Sequence, residues 1–397
     1  YYFDKKIDNS EGEWIRGIVP VNQLSDEVSK LLIIILILSP LLLLIIVLHC
    51  LVAILRIYCK QKDIKQPLWI TIVRDKSAGF IALITVSLFV TSAVSSFHNK
   101  CEMVQMFSLK TIGSVEHELT TPDCAIFYTP VYRLIFSLYA NHLASQQIDR
   151  LVEAKDRASV QSCAFNTKNI VLIIGESLGR HHSQQYGYFM KTTPRQIALE
   201  KAGNLIPFTD VVAPWNLTSF VFKNIFSMHV VGQKGEWCDY PLFPQLFRKA
   251  GYHVSFITNQ FLPQAKEAVY DFSGGFFLNN KELSKSMFDT RNTRLHTYDE
   301  GLLADYDNKL KAENREYNLI IFHLIGCHVS YNRRYPADRK HFKASDYKQK
   351  RPELTLQRRY MLAHYDNAVL YNDSIVNQIV KRFANEEAVV IYMPDHG

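Results

Sequence analysis

The sequence predicts an α/β domain with a mainly parallel sheet, preceded by transmembrane helices. Three observations point that way. Two long stretches in the first hundred residues carry no formal charge. Beyond about residue 165, short β-branched runs alternate with helical segments. Chemically suggestive polar clusters follow directly on four of these elements, where α/β folds place their sites.

The first uncharged stretch, Leu31–Leu55, is 25 residues long. At about 1.5 Å per residue it can cross a hydrocarbon core of ~30 Å. Pro40 falls mid-span and is expected to kink the helix without ending it. The second, Ser77–Phe97, is 21 residues long and includes Ser and Thr that can bond back to their own helix. Between them, Arg56, Lys60, Lys62, Lys65, Arg74 and Lys76 face only Asp63 and Asp75. The excess of basic residues puts loop 56–76 in the cytoplasm, with residues 1–30 and everything after about residue 98 on the outer side. A cleaved signal peptide is not expected, because the first span is too long and no small-residue cleavage site follows it.

The chain has 397 residues, a net charge of +7, 48% hydrophobic and 12% aromatic residues. This composition excludes a disordered chain, a collagen-like repeat and a disulfide mini-domain. Mean hydropathy is near zero, averaging the two spans with a polar outer part. Nucleic-acid binding does not explain the charge: part of the surplus sits in the cytoplasmic loop, and no basic patch interleaved with aromatics follows. The start at Tyr1 and the end just after Asp395 and His396 predict a piece of a longer chain. Five of the seven cysteines (Cys101, Cys124, Cys163, Cys238 and Cys327) fall on the outer side, where disulfides form. Five is odd, so at least one stays free, and a Cys101–Cys124 pair is one candidate.

Residues 129–158 have helical periodicity with an aromatic-rich face, suiting either the bilayer interface or packing on the outer domain. Thereafter Asn169–Gly175 reads as a buried strand and Gln196–Ala202 as a helix. Thr209–Val212 reads as a strand, Thr218–Val230 as a helix and Leu242–Ala250 as a helix. His253–Thr258 and Asn318–Leu324 read as strands, Gln357–Phe383 as a long helix and Ala388–Met393 as a final strand.

Four clusters carry candidate chemistry. Glu176 follows the first strand beside Gly175, placed either to bind a cation or, with Ser177, to cap a helix. Asp395 and His396 follow the last strand and offer an oxygen and a nitrogen ligand, a mixture suited to Zn²⁺ or Mn²⁺. Thr218 stands where a loop enters a helix, either as an N-cap or as a nucleophile activated by a metal. It also closes a formal glycosylation sequon, Asn216-Leu217-Thr218, although a sugar there would obstruct the site. His323 and His328 follow another strand and can bond a phosphate oxygen, bind a second metal or protonate a leaving group, unless they are satisfied structural histidines.

In combination, these clusters resemble the alkaline phosphatase and sulfatase superfamily, and within it the membrane-bound phosphoethanolamine transferases that decorate lipopolysaccharide. The likeness runs from about residue 165 to 397. It rests on IVLIIGESLGRHHSQQYGYFMKTTP, VVAPWNLTSFVFKNIFS, GYHVSFITNQ, HLIGCHVSYNRRYP, YDNAVLYNDSIV and PDHG. The HLIGCH…YNRRYP and YDNAVLYND phrases look most like the branch acting on the lipopolysaccharide core.

The resemblance implies Glu176, Thr218, Asp395 and His396 as ligands of a catalytic zinc. It implies Thr218 as the nucleophile, and His323, His328 and Asn259 as substrate-side residues. A second zinc is possible in the family, but a further His used there lies beyond the point where this sequence stops. It further implies phosphatidylethanolamine as donor, a lipopolysaccharide acceptor (core or lipid A), and a multi-pass protein of the bacterial inner membrane. Residues 165–397 would be its periplasmic catalytic domain, truncated at its C-terminal end, and 98–164 an interfacial or bridging region. A formylglycine sulfatase would need Cys or Ser in a C/S-x-P-x-R context, which Thr218-Ser-Phe-Val-Phe lacks. A phosphoglycerol transferase on the same fold and a membrane-anchored scaffold with a decayed site are the remaining alternatives.

Overall fold

A computed structural model describes residues 51–65, 79, 83–94, 97–111, 114–115, 130–216, 218–230, 232–262 and 275–397. Most of the first expected span, and the start of the second, lie outside these residues. Among the described residues no helix is long and apolar enough to cross a membrane. The described residues divide into two compact units, one up to residue 139 and one from 140 to 397. In the former, helix α1 (Phe97–Met106) is followed by a turn whose Leu109 carbonyl accepts a 2.7 Å hydrogen bond from the Tyr139 hydroxyl. Cys101 is a free thiol, as are Cys163, Cys238 and Cys327, and Cys124 lies outside the described residues.

Helix α2 (Pro130–Arg157) leads into the larger unit. Its last turns bury Leu151 and Ala154, and Leu151, Ile148 and Val152 join the domain core.

Five strands form one sheet: β1 (Asn169–Gly175), β2 (His253–Thr258), β3 (Thr290–Arg291), β4 (Asn318–His323) and β5 (Ala388–Pro394). Their order is β3-β2-β4-β1-β5, and every pairing is parallel. A parallel sheet is covered on both faces, so its strands are apolar on both sides. Alternate residues divide accordingly. Val171, Ile173, Ile320 and Phe322 enter a core shared with α8 (Glu300–Asn308) and α9 (Leu356–Arg382). Ile174, Val254, Phe256 and Ile321 enter a second core with α4 (Thr218–Phe226) and α5 (Phe243–Ala250). The remaining helices are α3 (Pro194–Lys201), which precedes α4, and α6 (Gly275–Asn279) and α7 (Lys281–Met287), whose Phe277, Leu278, Leu283 and Met287 join the second core. Each fully buried Val, Leu, Ile or Phe contributes roughly 1.5–3 kcal/mol.

The register sets the site. Ile174 pairs with His323 and Gly175 with Pro394, while Thr258 pairs with His323. Four strands therefore end level, and the residues that follow them emerge side by side.

Two expected elements differ. Thr209–Val212 is an exposed irregular segment; it lies between Pro207 and Pro214 and pairs with no described strand, and a strand without a ladder partner leaves its backbone to water. The helix from Thr218 stops at Phe226, short of Val230, because Ser227 bridges to Leu242. Its hydroxyl also donates to the Trp237 carbonyl at 2.7 Å and accepts from His229 N at 3.0 Å. Strand β3 is too short to leave a periodic signal.

Helix α9 has an unusual buried polar face. The Tyr365 hydroxyl accepts from Gly179 N at 2.9 Å and donates to the Ser177 carbonyl at 2.8 Å. Asp366 accepts from the hydroxyls of Tyr188 (2.8 Å) and Tyr347 (2.6 Å). It also lies 3.1 Å from His182 Nδ1. Asp373 accepts from the backbone N–H groups of Arg195 (3.0 Å) and Gln196 (3.2 Å), the first turn of α3, where a negative charge is favoured. Asn367 accepts from His341 N at 2.6 Å and Phe342 N at 2.8 Å, and donates to the Phe342 carbonyl at 2.9 Å. Asn367→Ala would strand these buried backbone groups. At about 1–3 kcal/mol for each such group, the buried N–H and carbonyl of Phe342 give an expected loss of about 2–6 kcal/mol, read as a lower denaturation midpoint at unchanged slope. A midpoint equal to that of the parent chain would contradict this account of α9.

Candidate active site

Glu176 leaves the end of β1 and is almost wholly buried. The turn after it depends on backbone geometry. Ser177 takes a left-handed φ of 51°, uncommon for a residue other than glycine. Gly326, with φ 45°, packs its backbone against Glu176 so closely that a Cβ there would lie 2.9 Å from Glu176 N. The Cys327 amide donates to the Glu176 carbonyl at 2.9 Å and closes the contact.

Asp395 emerges from β5 beside it. Its Oδ1 accepts two backbone amides, Ser177 N at 3.0 Å and His396 N at 2.7 Å. Its Oδ2 is buried with no hydrogen-bond partner among the described residues, and it lies 3.5 Å from His396 Nε2. His396 Nε2 is 3.4 Å from Glu176 Oε1. The helix α4 brings Thr218 onto the same point: its Oγ1 donates to Glu176 Oε2 at 3.0 Å and Oε1 at 3.2 Å. The same oxygen is 3.4 Å from His396 Nε2.

The charges of this cluster depend strongly on one another. Burial pushes both carboxyls up, because it penalises charge. For Glu176 the hydrogen bond and charge of His396 outweigh burial, and its carboxyl is held well below the usual range. For Asp395, burial and the neighbouring Glu176 charge act together and raise it. His396 is lowered by burial but raised more by Glu176 and Asp395, so its imidazole holds its proton above the ordinary range. One ligand atom from each of Glu176, Asp395 and His396 lies within 4.8 Å of the others. Two carboxylates, an imidazole and a hydroxyl around one point, with a carboxylate oxygen left unpartnered, fit a divalent cation of the Zn²⁺ or Mn²⁺ kind.

The two other histidines stand differently. His323 is fully buried among Phe222, Phe256 and Phe261. Burial lowers its pKa to about 3, so the ring is neutral. Its Nδ1 is 2.9 Å from Thr258 Oγ1 and its Nε2 is 3.1 Å from Gln260 Nε2. Both nitrogens therefore lie within hydrogen-bonding distance of a neighbour, and Gln260 Nε2 stands between His323 and Glu176. His328 is lowered by burial as well, against the pull of the Glu176 charge. Its Nδ1 is buried without a partner among the described residues, and Arg334 holds its carbonyl at 3.1 Å.

Asn259 points away from the cluster. Its amide donates to Asp299 at 2.9 Å and its oxygen accepts from His296 N at 2.7 Å. Asp299 in turn accepts from Ile325 N (2.9 Å) and Gly326 N (3.0 Å), so Asn259 acts on the site by fixing the turn before His328. The next residue, Gln260, touches the cluster directly: its amide donates to Glu176 Oε2 at 2.9 Å and to the Leu324 carbonyl at 2.9 Å. Sequence reasoning passed over it, although its place at the end of strand β2 was a usable signal.

Comparison with known proteins agrees with this architecture. A family model described as Sulfatase matches residues 168–397. Phosphoethanolamine transferase EptC of Escherichia coli O18:K1:H7 (strain RS218 / NMEC) is 30% identical over 233 residues, 58% of this chain and 39% of that one. Phosphoethanolamine transferase CptA of Salmonella typhimurium (strain LT2) is 28% identical over 275 residues, 67% of this chain and 46% of that one. The chain thus spans less than half the length of these curated relatives. The crystal structure of the C-terminal periplasmic domain of EptC from Escherichia coli, in complex with Zn, superposes with a TM-score of 0.50 at 29% identity, covering 58% of this chain and 64% of that one. With the family model matching more than half of its length, the chain belongs to the sulfatase family.

Proposed function

We propose that this chain is part of a membrane-bound transferase that moves phosphoethanolamine from phosphatidylethanolamine to a lipopolysaccharide acceptor, core or lipid A, with Thr218 as nucleophile. The observation that carries this reading is the position of Thr218 Oγ1, within 3.4 Å of Glu176 and His396 at the start of a helix. The named activity of the similar proteins supplies the transferred group. On this reading 31–55 and 77–97 are spans, 56–76 is cytoplasmic, 98–164 bridges, and 165–397 is a periplasmic catalytic domain at the inner membrane.

Glu176, Asp395, His396 and Thr218 would hold a zinc ion, as the Zn complex of the similar Escherichia coli domain suggests. When bound, zinc supplies a Lewis acid that favours the ionised hydroxyl and offsets charge on the phosphoryl oxygens. The chain's own groups do the rest. Glu176 accepts the Thr218 hydroxyl and fixes the direction of its oxygen, and Gln260 and Ser177 hold Glu176 in turn. A new bond forms between Thr218 Oγ1 and phosphorus as the bond from phosphorus to the glycerol oxygen breaks. Diacylglycerol leaves with a proton. An acceptor hydroxyl oxygen then attacks the same phosphorus, the bond from phosphorus to Thr218 Oγ1 breaks, and the acceptor's proton restores the Thr218 hydroxyl. On this reading His328 would lie near the transferred phosphate, where it would bond a phosphoryl oxygen, protonate the leaving oxygen or bind a second metal.

Thr218→Ala should show no phosphoethanolamine adduct by intact-mass measurement, and transfer should fall by at least about a thousandfold. A labelled adduct surviving in that variant would exclude Thr218 as the nucleophile.

Zinc binding should weaken as pH falls. Asp395 and His396 both have raised pKa values in the metal-free protein, so both hold protons at lower pH and release them as pH rises, and the metal competes with those protons. Chelator competition should give at least about tenfold weaker zinc affinity at about pH 6 than at about pH 8. Equal affinity at the two values would remove this pair from the ligand set. Glu176→Gln should lower zinc content measured by elemental mass spectrometry.

A further inference from the structure

Residues 204–216 run across the surface just before α4, with no regular secondary structure. Five of their large apolar side chains project into solvent: Ile206 is 83% exposed, Phe208 74%, Val211 71%, Val212 85% and Trp215 45%. Single exposed apolar residues are ordinary, but five within ten residues form a patch that marks an interaction surface. The whole segment, NLIPFTDVVAPWN, carries one charge, Asp210. It is not loose from the domain. The Arg180 guanidinium donates to the Thr209 carbonyl at 2.7 Å, and the Trp215 ring packs on Phe220 of α4 at 5.1 Å between centroids.

From this arrangement we infer that loop 204–216 inserts its apolar tip into the lipid surface that carries the donor, holding Thr218 at headgroup depth. The inference rests on the transferase reading of the site and adds how a lipid substrate reaches it. Three features select a bilayer as the occupant. The tip combines aliphatic side chains with a Trp, the residue type that settles at the membrane–water boundary. Arg180, whose guanidinium holds the Thr209 carbonyl, is an exposed cation beside the tip that can meet a lipid phosphate. The third feature is distance. Thr218 is three positions beyond Trp215, and at ~3.3–3.6 Å per residue that is at most about 10 Å of chain. The polar headgroup layer of one leaflet is about 5–8 Å thick. A tip seated at the acyl boundary therefore leaves Thr218 at about the depth of the phosphate it would attack.

The test uses the full chain reconstituted in vesicles. It has four Trp, so the fluorescence difference between the parent chain and Trp215→Phe isolates Trp215. In vesicles of phosphatidylcholine brominated on the acyl chains, that difference should be quenched relative to unbrominated vesicles. An unquenched Trp215 overturns the proposal, because the loop would then be covered by protein or left in water. A second arm compares Val211→Asp combined with Val212→Asp against the parent chain. KM for phosphatidylethanolamine in vesicles should rise about tenfold or more, with turnover of a short-chain, water-soluble phosphatidylethanolamine unchanged. An unchanged vesicle KM, or an equal loss on both donors, overturns it. If the parent chain transfers from no donor, the transferase reading fails, and the quenching result still decides the loop.

Discussion

Two carboxylates share one buried point, and much of the domain is arranged around that arrangement. The parallel pairing of β1 with β5 brings Gly175 opposite Pro394, so Glu176 and Asp395 emerge as neighbours with no freedom to separate. Two negative charges a few ångströms apart in a poorly hydrated site repel strongly, and burial penalises each of them. Protein groups compensate in part. Ser177 N and His396 N hold one oxygen of Asp395, and protonated His396 lies beside Glu176. The remaining Asp395 oxygen has no hydrogen-bond partner among the described residues, and a divalent cation is the kind of group that would balance the set.

The supporting layer lies in α9. Tyr365 ties down the turn that carries Glu176, Asp366 gathers two tyrosines and a histidine, and Asn372 donates to the Tyr392 hydroxyl at 2.7 Å. Buried polar groups are costly unless satisfied, so a face with this many of them fixes one rotation and one height of the helix. The YDNAVLYND phrase is therefore architectural: its polar contacts tie down the turn after Glu176 and the segments packed on α9.

Much of this was legible in the sequence, for physical reasons. Strands β1, β2, β4 and β5 announce themselves because a doubly covered parallel sheet needs continuous β-branched runs. Glu176, Asp395 and His396 were legible one at a time as polar residues directly following such runs, and Thr218 as a hydroxyl at a helix start. Their convergence was not legible, since it depends on strand register. Asn259 and Gln260 show the limit most plainly. They are adjacent amides at one strand end, and only the direction of each side chain decides that Gln260 meets Glu176 while Asn259 meets Asp299. Val211 and Val212 misled because β-branched residues signal a strand only where a ladder partner exists. The transmembrane reading of 31–55 concerns residues mostly outside those described.

The separation of the cluster in sequence also bears on folding. Ser177 N and Asp395 Oδ1 meet across 218 residues, so this contact forms only after the first and last strands of the sheet have been zipped onto the same core. Long-range closure of that kind comes late, because its entropy must be met by contacts already made. An ion held there would recognise the completed domain and not its partly folded precursors. Its retention through purification would then report on the integrity of the whole sheet, and its binding free energy would add to the stability of the native state alone.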